Sequence, residues 1–416
     1  MADKLKIIEK HHSPNYFVKK RLQRNKPALF GMIIIFLAAL VALFGYLIMP
    51  DETPDANDGA VQIQQKPPGF TTQILKVRKN TRVDKNSFIQ LALFGQESAY
   101  TIEPIESYRV EGFDLYITPF GQLQEKHYFL PEVVKTFYIG DTAVARLNNS
   151  KMRVSGDTLQ YLNLQGDLKT VTQATLVQEF KDENLETRTY WLGTDKSGRD
   201  MLSRLIFGTR ISLSIGFVAV LISMFLGISL GALAGFFGGK LDSFIVWLMS
   251  VVWSIPGIML VIAISIALQS RGVWVAFIAV GLTMWVEVAR VSRGQILSIK
   301  EKLYVESARA FGLSNFRIVF NHILPNILGP LIVIATSNFA AAILLEAGLS
   351  FLGLSVQPPT PSWGIMIFEG YNSIITDNSW HLVIFPALAI CLMVLSFNLL
   401  GNGLRDAFDP KTIIRK

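Results

Sequence analysis

Residues 28–48 form a run without a single charge, and several runs of this kind leave a chain few ways to fold. A helix needs about 20 mostly apolar residues to cross the hydrocarbon core of a bilayer. Every backbone amide inside that core must be paired within its own segment or within protein. Five further runs follow residue 205: 211–237, rich in Gly and Ser; 244–268, with Pro256 inside it; 273–289, with Glu287 near its end; 327–349, with Glu346 late in it; and 382–400. Six spans predict an α-helical polytopic membrane protein, and the small residues within them suit close helix contacts. Only 17% of the chain is charged and half is hydrophobic, against about 25% charged in an ordinary soluble domain. The first run is followed by Pro50 and several acids, not by a small-residue cleavage site, so it reads as an uncleaved anchor.

The net charge of +7 divides unevenly. Residues 51–190 hold 15 basic and 19 acidic side chains, and the remainder holds 24 basic and 13 acidic. That division excludes one uniformly basic, nucleic-acid-binding protein. Cations retained on the cytoplasmic side set topology. With the N-terminus inside, segments 1–27, 238–243, 290–326 and 401–416 carry 19 Lys/Arg, against five near the outer ends of the spans. Both termini are expected to be cytoplasmic. Trp363 and Trp380 flank the last outer loop and fit interfacial aromatics.

The first outer segment is too long for a structureless loop. Residues 49–69 read as a linker rich in Pro, Asp, Asn and Gln. Beyond it the apolar period becomes two: Ile89, Leu91 and Leu93; Phe113, Leu115 and Ile117; Leu162 and Leu164, with turn signals at 155–157 and 165–167. These predict short half-buried strands and a β-rich inserted domain over 70–190, outside the membrane. Its scattered acids form no catalytic pair. Contact with a binding protein, bracing of the assembly, capture of basic peptides and a plain spacer role all fit it.

No G-x-x-x-x-G-K-[ST] loop or H-E-x-x-H pair is present. No catalytic residue, no metal site and no cofactor are therefore expected in this chain, and it is not read as an enzyme. A membrane-embedded enzyme, a passive channel and a scaffold are the competing classes. The informative inner segment is 290–326. It holds Glu306-Ser307-Ala308, and helical spacing places Val305, Ala308 and Gly312 on one side. Gly312 followed by Ser314-Asn315 reads as a helix end and a new N-cap, with a second short helix over 316–322 before Pro325. A polar connector and a docking surface for a cytoplasmic partner both fit this segment.

Glu306-Ser307-Ala308, then Gly312, then Leu324-Pro325 resembles the EAA loop of permease subunits of bacterial ABC importers. Ser307 stands where the family has Ala, and His322 where many members have Ile. Residues 193–200 resemble the G-T-D-x-x-G-R-D signature of the peptide-type branch. Residues 349–364 resemble its L-S-F-L-G-L-G-x-Q-P-P-x-P-S-W-G run, and 399–410 its L-L-G-D-G-L-R-D ending, with Ser355 and Asn402 as departures. The likeness is strong over 191–416, weak over 1–48 and nil over 51–190.

The resemblance implies a type I ABC importer permease of the C type, moving di- or oligopeptides across the bacterial inner membrane. Nickel, another small solute or a peptide antibiotic are alternative cargoes. It implies a homologous second permease, two cytoplasmic ATPases that carry ATP and Mg, and a periplasmic or lipid-anchored solute-binding protein, with membrane lipid around the chain and no nucleic acid. It assigns Glu306, Ser307, Ala308, Gly312, Leu324 and Pro325 to ATPase coupling. Asp195, Arg199, Asp200 and Arg204 are expected on an amphipathic helix lying on the outer membrane surface, or at a periplasmic gate. Glu346 is expected near the outer face, snorkelling or binding a partner subunit or a peptide amine. Pro256 is expected to kink its span, for gating or for packing. Glu287 is expected to pair with Arg290.

Overall fold

The computed structural model describes residues 14–138, 152–270, 272–377 and 379–409. Lys4, Lys6, Lys10, Arg271, Lys411, Arg415 and Lys416, which entered the orientation argument, lie outside the described residues. Among those described, five helices are long and apolar enough to cross a membrane, or six if one bent pair counts as a span.

A short helix α1 (Pro14–Arg24) leads into α2 (Lys26–Ile48). Asn25 caps α2, its side chain accepting from the Ala28 amide at 3.2 Å. The chain then enters the insert. Its elements are β1 (Phe70–Arg78), α3 (Phe88–Phe94), β2 (Tyr100–Glu111), β3 (Asp114–Pro119), β4 (Lys126–Phe129), α4 (Leu130–Val134), β5 (Met152–Ser155), β6 (Thr158–Leu162), β7 (Leu168–Thr172), α5 (Gln173–Glu179) and β8 (Leu185–Tyr190). A five-stranded antiparallel sheet runs β4-β3-β2-β1-β8, and β5-β6-β7 make a second sheet. Leu75, Ile105, Leu115, Ile117, Leu130, Leu159 and Phe180 form its core. Phe70 pairs with Tyr190, so the insert enters and leaves on neighbouring strands.

The strand expected at Ile89–Phe94 is instead the helix α3. Ser87 accepts from the Gln90 amide at 3.4 Å while the Gln90 side chain accepts from the Ser87 amide at 3.0 Å. This reciprocal capping stabilises a helical turn, and it outweighs the two-residue alternation. The expected linker is not loose either. Ala56, Ala60 and Ile63 are buried, and Gly59 bridges to Arg199.

The remaining helices are α6 (Met201–Phe237), α7 (Gly239–Trp253), α8 (Gly257–Ala267), α9 (Val273–Ile299), α10 (Leu303–Ala310), α11 (Asn315–Ile318), α12 (Leu324–Phe351), α13 (Trp363–Asp377) and α14 (His381–Phe408). Pro256 does more than kink its span: α7 and α8 meet at 94°. The ring cannot donate an amide and clashes with the preceding turn, so the helix breaks there. The closest packing joins α6 to α9. Gly227, Gly231 and Gly235 recur one turn apart, and a Cβ on Gly231 would fall 2.6 Å from the Ala289 carbonyl oxygen. Only a hydrogen there lets the two backbones approach so closely.

Candidate functional site

Two regions at opposite ends of α6 gather the residues singled out by the sequence. The first lies where α6 ends and α9 turns away from the bundle. Lys300 Nζ donates to the Gly235 carbonyl at 3.0 Å, which holds the start of α10 beside the end of α6. Val305 and Ala308 are buried with Phe236, Val288, Ile296, Ile318 and Ile323. The small side of α10 therefore seats the helix on this chain's own core. Glu306 and Ser307 face outward, and Ser307 Oγ donates to the Leu303 carbonyl at 2.9 Å. Large apolar groups share the exposed surface: Leu303 is 81% exposed, Phe311 86% and Phe316 72%.

Gly312 has φ +72 and ends the helical turn. Ser314 caps α11, accepting from the Arg317 amide at 3.4 Å. The next segment differs from expectation. Instead of a separate second helix, α11 passes through a π-helical turn (Val319–Ile323) directly into α12, with Pro325 in the first turn of α12. Pro325 has no amide to continue the ladder, and the switch between π and α bonding falls immediately before it.

The second region lies on the insert side. The surface-helix expectation for 195–210 fails, because α6 begins at Met201 and the face bearing Ser203 and Arg204 is the buried one. Asp195 Oδ2 accepts from Arg199 Nε at 2.7 Å, and Arg204 Nε lies 3.2 Å from it as an ion pair without a hydrogen bond. Glu369, on α13, receives Arg199 Nη2 at 3.5 Å and Arg204 Nη2 at 3.4 Å on Oε2, with Lys196 Nζ 3.1 Å from Oε1. Arg199 also donates to Asn57 at 3.0 Å, and Arg204 to the Pro359 carbonyl at 3.1 Å. Buried charges persist when paired and hydrogen-bonded like this, which is why the polar face turned inward.

Asp200 caps α6, accepting from the Ser203 amide at 2.8 Å and from Ser203 Oγ at 2.5 Å. Burial pushes its carboxyl above the ordinary carboxylate range, against the opposing effect of the Ser203 bonds. Ser203 Oγ accepts in turn from the Asp51 amide at 2.9 Å. Thr194 Oγ1 accepts from the Lys66 amide and donates to the Ile63 carbonyl. The 193–204 stretch is therefore a hub that ties segment 51–66, α6 and α13 together.

Glu346 does not snorkel. It is fully buried, and Ser350 Oγ donates to its Oε1 at 2.7 Å. Trp363 is not interfacial but buried, with Nε1 donating to the Leu205 carbonyl at 3.2 Å. Glu287 makes no ion pair with Arg290, which stacks on Trp253 instead, 4.5 Å from its ring centroid. Glu287 is exposed in a cleft with Pro256, Thr283 and Leu345 at the α7–α8 break. Sequence reasoning missed Glu369, Asp51 and Asn57. A signal for Glu369 existed: it is the only charged residue between Glu346 and Asp377.

The family described as the binding-protein-dependent transport system inner membrane component matches residues 227–414. The N-terminal TM domain of oligopeptide transport permease C matches residues 18–68, further into the insert side than the sequence resemblance reached. The chain is 44% identical over 222 residues to a glutathione transport system permease protein of Pectobacterium atrosepticum, covering 53% of this chain and 73% of the relative. It is 41% identical over 235 residues to a dipeptide transport system permease protein of Bacillus subtilis, covering 56% and 73%. An inward-facing methionine ABC transporter structure aligns with a TM-score of 0.42 at 19% identity, over 49% of this chain and 96% of that one.

Proposed function

Because this chain belongs to the family of inner membrane components of binding-protein-dependent transport systems, we propose that it forms half of the translocation pathway of an ATP-binding cassette importer for short peptides. The relatives named for dipeptide and glutathione transport support a peptide cargo. Its partners are then a homologous second permease, two cytoplasmic ATPases that bind ATP and Mg, and a solute-binding protein. The chain resides in the inner membrane with both termini cytoplasmic, a basic segment 1–27, and the 70–190 insert periplasmic.

One observation carries the coupling assignment: α10 is clamped from inside and apolar outside. Val305 and Ala308 lock it to the α6–α9 core, while Leu303, Phe311 and Phe316 stand in the open around Glu306. Exposed apolar surface rimmed by polar groups marks an interaction site. A push on α10 is passed into α9 through the core and into α12 through the π-helical turn, since packed elements transmit displacement. Glu306 and Ser307 meet the ATPase, Ala308 and Gly312 shape the helix, and Leu324-Pro325 carry the displacement into α12. ATP closure then tilts the spans and opens the pathway to one side and then the other. Pro256 and Glu287 line that pathway at the helix break, where an intramembrane charge requires water or a partner. Asp195, Arg199, Asp200 and Arg204 brace the insert-side end.

Glu306→Lys in the reconstituted transporter tests this reading. ATP-coupled uptake should fall at least about tenfold, equivalent to roughly 1.4 kcal/mol of docking energy, with membrane insertion unchanged. A bulky residue at Gly312 should do the same. Unchanged uptake together with unchanged ATPase co-purification would refute the coupling role.

A further inference from the structure

We propose that α3 is a membrane-surface helix, whose Phe88, Ile89, Leu93 and Phe94 side chains seat in the lipid leaflet on the insert side and anchor the β-rich domain there. Phe88 is 68% exposed, Ile89 70%, Leu93 44% and Phe94 68%. Four large apolar groups on a seven-residue helix are a costly surface to leave in water. Ala92 is buried against the rest of the protein, and Ser87 and Gln90 cap the start of the helix.

The depth of α3 follows from what holds it. Arg210 Nη1 donates to the Leu93 carbonyl at 2.8 Å and Nη2 to the Ala92 carbonyl at 3.2 Å. Arg210 is the last charged residue before the uncharged stretch 211–237, so it marks the level at which α6 enters the hydrocarbon. The same guanidinium lies 5.6 Å from the centroid of Tyr46, two residues before the end of α2. The Gln96 amide just beyond α3 donates to the Glu52 carbonyl at 2.8 Å, just past the end of α2. Two spans thus place α3 at the water–hydrocarbon boundary by independent contacts.

Lipid is the occupant that continuity favours. The end of α2 beside α3 is itself apolar and open, with Leu43 55% and Ile48 57% exposed. The α3 side chains extend that bilayer-facing surface sideways. Interfacial helices bury aromatic and aliphatic groups and lie in the plane of the headgroups. The segment before α3 carries polar and cationic groups, including Lys85 and Asn86.

The assembled transporter in nanodiscs of phosphatidylethanolamine and phosphatidylglycerol provides the test. In a Cys391→Ser background, a nitroxide is attached after Ile89→Cys or, separately, Lys85→Cys. Collision with oxygen, which concentrates in lipid, is compared with collision with a water-soluble nickel chelate. The oxygen-to-nickel accessibility ratio at position 89 should exceed that at position 85 several-fold. A ratio at 89 equal to that at 85 would mean that α3 faces water, and would overturn the proposal. Loss of access to both probes would overturn it too, because another protein would then cover the face. Phe94→Cys repeats the measurement should the label at 89 disturb the helix.

Discussion

Removing Glu369 should loosen the insert-side end of the molecule more than any other single change in the hub. Its carboxylate is 5% exposed and faces three cations at 3.1, 3.5 and 3.4 Å. At such distances an effective dielectric of about 20 gives roughly 5 kcal/mol of attraction per pair before desolvation. Lys196 is 45% exposed, so its contact contributes little. Arg199 and Arg204 are at most 6% exposed and cannot regain water. Glu369→Ala leaves Asp195 alone against both. Breaking one partner out of a buried ion cluster costs about 3–5 kcal/mol. We expect that loss to appear as a melting temperature several degrees lower, followed by tryptophan fluorescence of the detergent-solubilised chain. Faster amide exchange in α13 should accompany it. Glu369→Gln keeps the volume and one acceptor and should lose less. Pairing Glu369→Gln with Arg204→Gln should cost less than the two changes summed, by about 0.5–3 kcal/mol. A Glu369→Ala variant within about 0.5 kcal/mol of the parent, with strict additivity in the double variant, would refute the reasoning.

Two further outcomes follow from the same region. Gly198 has φ +73, and a Cβ there would fall 1.8 Å from the Ala60 carbonyl oxygen. Gly198→Ala should therefore cost about 1–3 kcal/mol and expose segment 54–66 to limited proteolysis; an unchanged cleavage pattern would count against the packing described. Asp200 binds its proton more tightly when folded, since burial raises its pKa. From about pH 3.9, the unfolded value, upward through the raised one, the folded state holds more protons, and stability falls as pH rises. Relative to Asp200→Asn, the parent should lose stability across that window, and a flat difference between the two melting curves would contradict the assignment.

Much of the membrane part was readable in advance because charge-free length is a local property. The apolar runs fall within α2, α6, α9, α12 and α14, and the remaining run is split at Pro256. The turn at Gly312 and the cap at Ser314 were also legible, because glycine at positive φ and serine at an N-cap act within one helical turn. The errors share a cause. At Ile89–Phe94 the alternation of apolar residues concealed a capping box. At 195–210 an amphipathic pattern is expected on the membrane surface or at a gate, and the structure buries its polar side. An amphipathic pattern identifies two faces but not which one is buried, and only the position of Glu369, 165 residues beyond Arg204, decided that the polar face turned inward.

By itself the sequence determined where the chain has runs apolar enough to cross a bilayer, where it does not, and which segment carries the Glu306-Ser307-Ala308 pattern. Each of these depends on neighbours within a few helical turns. The tertiary structure decided which side of α10 is clamped and which is offered, how Asp195, Arg199, Arg204 and Glu369 neutralise one another, and where α3 lies against the ends of α2 and α6. These are relations between residues distant along the chain. Their physical basis is shared burial and charge compensation, which no local period encodes.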